Sequence, residues 1–314
     1  MFLIALLYIL FASTFTFSKA ALEYASPIFL IAIRFLVAGG ILCAYQWFRG
    51  NSLKIKKVDW PLCAQLIFFT YYLSFATDNW ALQYISSSKA CLIYNLSPFV
   101  TAALSYFLFK SKITFRQAIG LTIGFLGFMP ILFDQYYNGD TTNVIGFISV
   151  AEGVLLVSVI SAAYGWLVMK QLINRGYSIV TINGVGLLGA GIIAIVHSLL
   201  TEGWPVIQAR GGYDIVPLRN MVTALVPFGY TNVVMFSIYL ILLVLIAHII
   251  CYILYGYLLR YYSATFLSFA GFTTPLFAAI LGWLLLGERI SWYFILTLVI
   301  VSYGLYIFYQ DEKW

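Results

Sequence analysis

The sequence predicts an all-α membrane protein of ten transmembrane helices arranged as two inverted five-helix repeats. Three observations predict it. First, 63% of the 314 residues are hydrophobic and 9% are charged, with a mean hydropathy of +0.96. Apolar surface on that scale cannot all turn inward, so part of it must face lipid. Second, apolar runs of roughly the length that crosses a bilayer, about 20 residues, recur along the chain with short polar connections between them. Third, the second half repeats the pattern of the first.

Taken in order, the spans cover about 2–18, 28–48, 60–82, 87–109, 118–133, 146–169, 178–200, 233–258, 263–286 and 292–309. Span 1 has no charged leader and no small-residue cleavage site, so it reads as a retained helix. Arg49 closes span 2, and Lys54, Lys56 and Lys57 precede span 3. Lys110, Lys112 and Arg116 separate spans 4 and 5, Lys170 and Arg175 separate 6 and 7, and Arg260 closes span 8. The long segment Thr201 to Asn232 carries Gly-Trp-Pro, Arg-Gly-Gly and three prolines, so it is expected as a structured loop or short surface helix that does not span.

The basic residues fix an orientation. With the N-terminus inside, the inner loops hold eleven Lys and Arg and the outer side five, namely Lys19, Lys89, Arg210, Arg219 and Arg289. By the positive-inside rule both termini face the cytoplasm, in a multi-pass protein of the inner membrane. Scattered through short loops, these charges form no continuous basic groove, which excludes nucleic acid as a partner and leaves the bilayer and a small-molecule substrate. Cys43, Cys63, Cys91 and Cys251 lie in apolar segments without CxxC spacing, and the two histidines, His197 and His248, stand far apart. Neither a metal site, a disulfide nor a cofactor site is expected. Gly184-Val-Gly-Leu-Leu-Gly189 fits GxGxxG but follows no strand, so it reads as helix packing.

The repeat emerges when Pro98 is laid over Pro275. The offset of 177 then places Tyr84 on Tyr261, Ser86 on Ser263, Ser97 on Thr274, Ile113 on Ile290, Thr114 on Ser291 and Gly127 on Gly304. Five spans per half is odd, so the second copy enters the membrane the other way up. That is the geometry of alternating-access carriers. The expected units are a first repeat over 1–133, an outer linker over 134–145, a second repeat over 146–309 that includes the 201–232 loop, and a tail over 310–314.

Three segments carry a family resemblance: Phe11-Ala-Ser-Thr-Phe-Thr-Phe-Ser-Lys19 running on to Pro27 and Arg34; Ala81-Leu-Gln-Tyr-Ile-Ser-Ser-Ser88 leading into Leu96-Ser-Pro-Phe99; and Thr274-Pro-Leu-Phe277 followed by Leu285-Leu-Gly-Glu-Arg-Ile-Ser291. On these the chain resembles the EamA-type ten-helix carriers of the drug/metabolite transporter superfamily. The counterpart of the last motif, Phe109-Lys-Ser-Lys112, is degenerate, and the 201–232 loop is longer than the family needs. The resemblance implies a central cavity lined by helices 1, 3, 4, 6, 8 and 9 and transport of amino acids or related metabolites, by a monomer or weak homo-oligomer. The Ile, Phe, Tyr and Lys bias also resembles the proteins of obligate intracellular bacteria, in which the family has a branch carrying S-adenosylmethionine and S-adenosylhomocysteine.

Charges inside spans are costly, about 2.5 to 3.5 kcal/mol each at the centre, and so single out candidates. Asp78 shares a helical stripe with Tyr71 and Ser74, and reads either as a binding carboxylate or as an outer-end residue reaching water. Glu152, six residues past Gly146, reads as a coupling carboxylate or as the partner of Arg34 or Lys89. Arg34 binds a substrate carboxylate or pairs with an acid to fix packing; the second is favoured, because the resemblance puts helix 2 at the periphery. Lys89 opens span 4 and either snorkels outward or reaches a ligand. Tyr94 and Ser97 lie on the polar face of span 4, and His248 shares a face with Tyr252 and Tyr255 on span 8. The candidate binding set is thus Asp78, Glu152, Tyr71, Tyr94, Ser97, Tyr252, His248 and Lys89.

No HExxH, HxxxD or GxSxG pattern occurs, so an embedded enzyme is disfavoured, and no catalytic residue is assigned. Within the carrier class, opposite charges suit an amphoteric molecule and the 18% aromatic content suits a ring or a sulfonium. S-adenosylmethionine taken up in exchange for S-adenosylhomocysteine fits both. Amino-acid export, with or without proton coupling, is the alternative.

Overall fold

The computed structural model describes residues 2–85, 90, 93, 94, 96–110, 112–127, 129, 130, 150–204, 207, 215–226, 230–274, 276, 277 and 292–311. Lys89, the 134–145 linker, the Leu285–Ser291 motif and the extreme tail lie outside them.

The described chain is helical: α1 Phe2–Leu22, α2 Pro27–Phe48, α3 over 60–82, α4 Ser97–Phe109, α5 Phe115–Leu126, α6 Val150–Asn174, α7 Ile179–Thr201, α8 Val216–Leu225, α9 Thr231–Leu258, α10 Ala264–Thr273 and α11 Trp292–Gln310. Helices α1, α2, α6, α7 and α9 are each long and apolar enough to cross a membrane. In hydrocarbon only a helix satisfies its own backbone, so an apolar run of this length has no other local solution. Helix α3, the shorter α4, α5 and α10 and the C-terminal α11 fall on the five remaining predicted spans, consistent with ten. Local signals set several ends: Pro27 opens α2, Thr114 and Gln117 form a capping box on α5, and the Ser263 hydroxyl caps α10.

The inverted repeat is visible in the packing. The most extensive helix contacts are α2 with α7 and α5 with α11, each a helix against its own counterpart. Likewise α3 packs on α6, as α9 packs on α1. Both α3 and α9 widen into π-helical turns, at Leu66–Leu73 and Leu243–Cys251, whose first residues are again 177 apart. Small residues permit the close pairs. A Cβ on Gly39 of α2 would stand 2.6 Å from the Leu188 backbone nitrogen of α7, and one on Gly304 of α11 2.8 Å from the Gly120 carbonyl oxygen of α5.

Helix α8 is the surface helix expected in the 201–232 loop. It lays Leu218 and Val222 on an apolar cluster with Leu22, Tyr24, Leu82, Ile85 and Tyr239, closing the end of the bundle where α1 gives way to α2. At the same end the Lys19 ammonium, expected in a loop, is buried and donates to the Leu82 and Ile85 carbonyls at 3.2 and 2.5 Å. The Glu202 carboxylate accepts from the amides of Ile28 and Phe29, both at 2.9 Å, and from the hydroxyls of Ser26 and Ser198 at 2.7 and 2.8 Å. It thereby caps α2 from the end of α7, where the helix dipole favours an anion. Glu202→Ala is expected to cost about 2 kcal/mol, the worth of one charge-assisted cap with several donors. Thermal unfolding in detergent checks it; an unchanged midpoint would show that the cap contributes nothing.

Candidate functional site

A single-residue rule shapes the centre of the bundle. An apolar side chain is content against lipid or against another helix, whereas a hydroxyl, carboxylate or guanidinium must turn toward other polar groups. The polar faces of the helices converge on one cavity between the halves. Tyr8, Phe11, Thr14, Phe15 and Ser18 of α1 line it, with Arg34 of α2 and Ser74, Phe75 and Asp78 of α3. Tyr94, Ser97 of α4, Ala162 and Trp166 of α6, Ala247, Tyr252 and Tyr255 of α9, Ser268 of α10, Gly271 and Thr274 complete it.

One wall is a prebuilt aromatic surface. The Trp166 and Tyr255 rings stack with centroids 3.9 Å apart at 24°, and Trp166 also lies 4.9 Å from Tyr252. Tyr71 stands behind this wall. It stacks on Tyr252 at 5.4 Å and donates its hydroxyl to Asn183 Oδ1 at 2.6 Å, which holds the Tyr252 ring from the rear. Across the cavity Tyr94 meets Phe15 edge-on at 5.5 Å and hydrogen-bonds Ser158 at 2.8 Å, and Ser158 in turn donates to the Ser74 carbonyl at 2.7 Å.

Two of the described lining residues are charged. Asp78 is 8% exposed and its Oδ1 has no hydrogen-bond partner among the described residues; Arg34 is 1% exposed and donates through Nη1 to Ser18 Oγ at 3.2 Å. The guanidinium lies under aromatic faces, 4.8 Å from the Phe75 centroid and 5.6 Å from that of Phe35. The two charges are near enough to interact electrostatically, yet no direct ion pair joins them among the described residues.

Of the residues singled out from sequence, the structure brings Asp78, Tyr94, Ser97 and Tyr252 together on the cavity. Tyr71 supports it from behind. His248 is fully buried away from the cavity, its ring edge-on to Phe35 at 4.9 Å and near Phe75 at 5.4 Å, with neither ring nitrogen hydrogen-bonded among the described residues. Its ring packs 5.8 Å from that of Tyr252, yet His248 is not among the described residues that line the cavity. Glu152 stands near the start of the described part of α6, partly exposed, and is not among the described residues that line the cavity. Lys89 lies outside the described residues.

Arg34, on a helix that the resemblance placed at the periphery, lines the cavity, and no ion pair with an acid joins it among the described residues. Sequence reasoning also missed Tyr8, Phe11 and Trp166. Carrying the offset of 177 back from Tyr84 would have paired Phe75 with Tyr252 and Asp78 with Tyr255, four residues that all line the cavity.

Comparisons with known proteins agree with this architecture. The model of the EamA-like transporter family matches residues 1–133 and 150–310. A protein of Chlamydia muridarum called S-adenosylmethionine/S-adenosylhomocysteine transporter is 31% identical over 314 residues, covering 99% of this chain and 92% of its own. A protein of the same name from Chlamydia trachomatis serovar L2 is 30% identical over 99% of this chain and 89% of its own. One solved crystal structure superposes with a TM-score of 0.70 over 97% of this chain and 94% of that one, at 15% identity, a likeness of fold. With both halves matched by the family model and both relatives aligned almost end to end, the chain belongs to the EamA-like transporter family.

Proposed function

We propose that this transporter takes up S-adenosylmethionine in exchange for S-adenosylhomocysteine across the inner membrane, with both termini in the cytoplasm. The observation that carries the reading is the end-to-end similarity to two chlamydial proteins named for that pair. The cavity supports it chemically. The Trp166, Tyr252 and Tyr255 wall offers a stacking surface for a purine, and aromatic faces together with Asp78 suit a sulfonium. Tyr94 and Ser97 supply hydroxyls for the sugar and the head of the molecule, while Tyr71 and His248 brace the rings from behind.

Exchange follows from the chemistry of the two molecules. The demethylated product loses only the methyl and the sulfonium charge, so one cavity between a repeat at 1–133 and a repeat at 146–309 accepts either and returns loaded in both directions. The test is uptake of labelled S-adenosylmethionine into proteoliposomes preloaded with S-adenosylhomocysteine. Several-fold stimulation over empty vesicles is expected. Equal uptake into loaded and empty vesicles would remove exchange, and no uptake while amino acids are carried would move the assignment to amino-acid export.

A further inference from the structure

We infer that Arg34 and Asp78 form an amino-acid-head subsite, in which the Arg34 guanidinium takes the substrate's α-carboxylate and Asp78 its α-ammonium. The inference rests on the carrier reading and adds to it the part of the substrate that an aromatic cage does not recognise. It stands on which buried polar atoms are left unsatisfied. Nη1 of Arg34 is committed to Ser18, whereas Nε and Nη2 have no hydrogen-bond partner among the described residues. Those two nitrogens form the outer edge of the guanidinium fork, whose parallel N–H bonds match the two oxygens of a carboxylate.

Burying a guanidinium this completely costs several kcal/mol and is retained where hydrogen bonds or an opposite charge compensate it. The Phe75 and Phe35 rings lie over its faces, and Nε and Nη2 are buried beside the cavity with their demand for an acceptor unmet among the described residues. Asp78, also lining the cavity, has an oxygen unpaired among the described residues and makes no ion pair with Arg34. Had the arginine served packing alone, the nearby carboxylate would close on it. Opposite charges held open in one cavity instead fit a ligand that carries both charges itself, and a zwitterion neutralises each in place. Arg34 is therefore the residue that separates an amino acid derivative from the corresponding amine.

The decisive comparison pits S-adenosylmethionine against its decarboxylated analogue, which keeps the adenine, ribose, sulfonium and ammonium and lacks only the carboxylate. In wild-type proteoliposomes the analogue is expected to compete for uptake roughly 10- to 100-fold less well, the range for losing a charged hydrogen-bonded contact. Arg34→Lys keeps the charge and loses the fork. It is expected to narrow that preference to about threefold, a point charge replacing a bidentate one, with protein amount and melting temperature measured alongside. Equal competition by the two compounds in the wild type, or a full preference retained in Arg34→Lys, would overturn the subsite. If Arg34→Lys does not accumulate, the wild-type competition decides by itself. If the wild type carries no S-adenosylmethionine, the carrier reading fails, and the same comparison between a transported amino acid and its amine judges the subsite separately.

Discussion

Asp78→Asn is expected to lower transport by roughly 10- to 100-fold while the protein still reaches the membrane, since hydrogen bonds to charged groups are worth about 1.5 to 3 kcal/mol. The amide keeps the volume of the carboxylate and removes its charge, so the change reads electrostatics rather than packing. Asp78 is buried, lines the cavity and has one oxygen unpaired. Its removal also leaves Arg34 as the uncompensated charge of the site, which destabilises the resting protein. A double variant separates the two effects. Arg34→Met with Asp78→Asn is expected to recover thermal stability and not transport, because the stability defect is the lone charge and the transport defect is the lost ligand contact. Uptake per molecule of reconstituted protein is the measurement, and wild-type rates in Asp78→Asn would show that the carboxylate has no part in binding.

Gly304→Val is expected to prevent folding of the α5–α11 pair and reduce the amount of membrane-inserted, monodisperse protein to a small fraction of wild type. Even one added Cβ at Gly304 would meet the Gly120 carbonyl oxygen at 2.8 Å, the Gly124 nitrogen at 2.8 Å and its Cα at 3.1 Å. All three are backbone atoms of the opposite helix, so no rotamer relieves the clash. Overpacking of this kind costs about 1 to 3 kcal/mol where side chains can shift, and more where they cannot. In a membrane the helices have little hydrophobic drive to associate and depend on such close contact. Size-exclusion profiles of the detergent-extracted variant check it, with Gly304→Ala expected to be milder. A normal profile for the valine variant would mean that α5 and α11 do not approach as closely as described.

These two residues also mark how far the sequence can be read. Asp78 is legible because a carboxylate within an apolar run violates the local rule and must have a reason. Tyr94, Ser97 and Tyr252 are legible because they recur on helical faces at spacings of three and four. Arg34 violates the same rule, yet its direction is not legible, since a charge in a span can turn to a partner helix or to a cavity and the spacing is identical in both cases. Trp166, Tyr8 and Phe11 gave no signal, being apolar enough for lipid, protein or cavity alike. Among 24 tyrosines and 26 phenylalanines the few that face a substrate cannot be distinguished by composition.

The sequence by itself determined the helical class, most of the spans, the break in hydropathy between α7 and α9 and the duplication. Each depends on a local quantity: the length of an apolar run against the thickness of a bilayer, the loss of hydropathy at a loop, or a residue-for-residue offset between halves. Tertiary structure alone decided how each helix is rotated about its axis, and hence that Arg34 and Trp166 enter the cavity, Tyr71 and His248 stand behind it and Glu152 stays outside. Rotation is set where backbones meet, at Gly39 against Leu188, at Gly304 against Gly120 and along the π-helical turns of α3 and α9. Those are contacts between residues far apart in the chain, and no periodicity within one helix encodes which partner its faces will find.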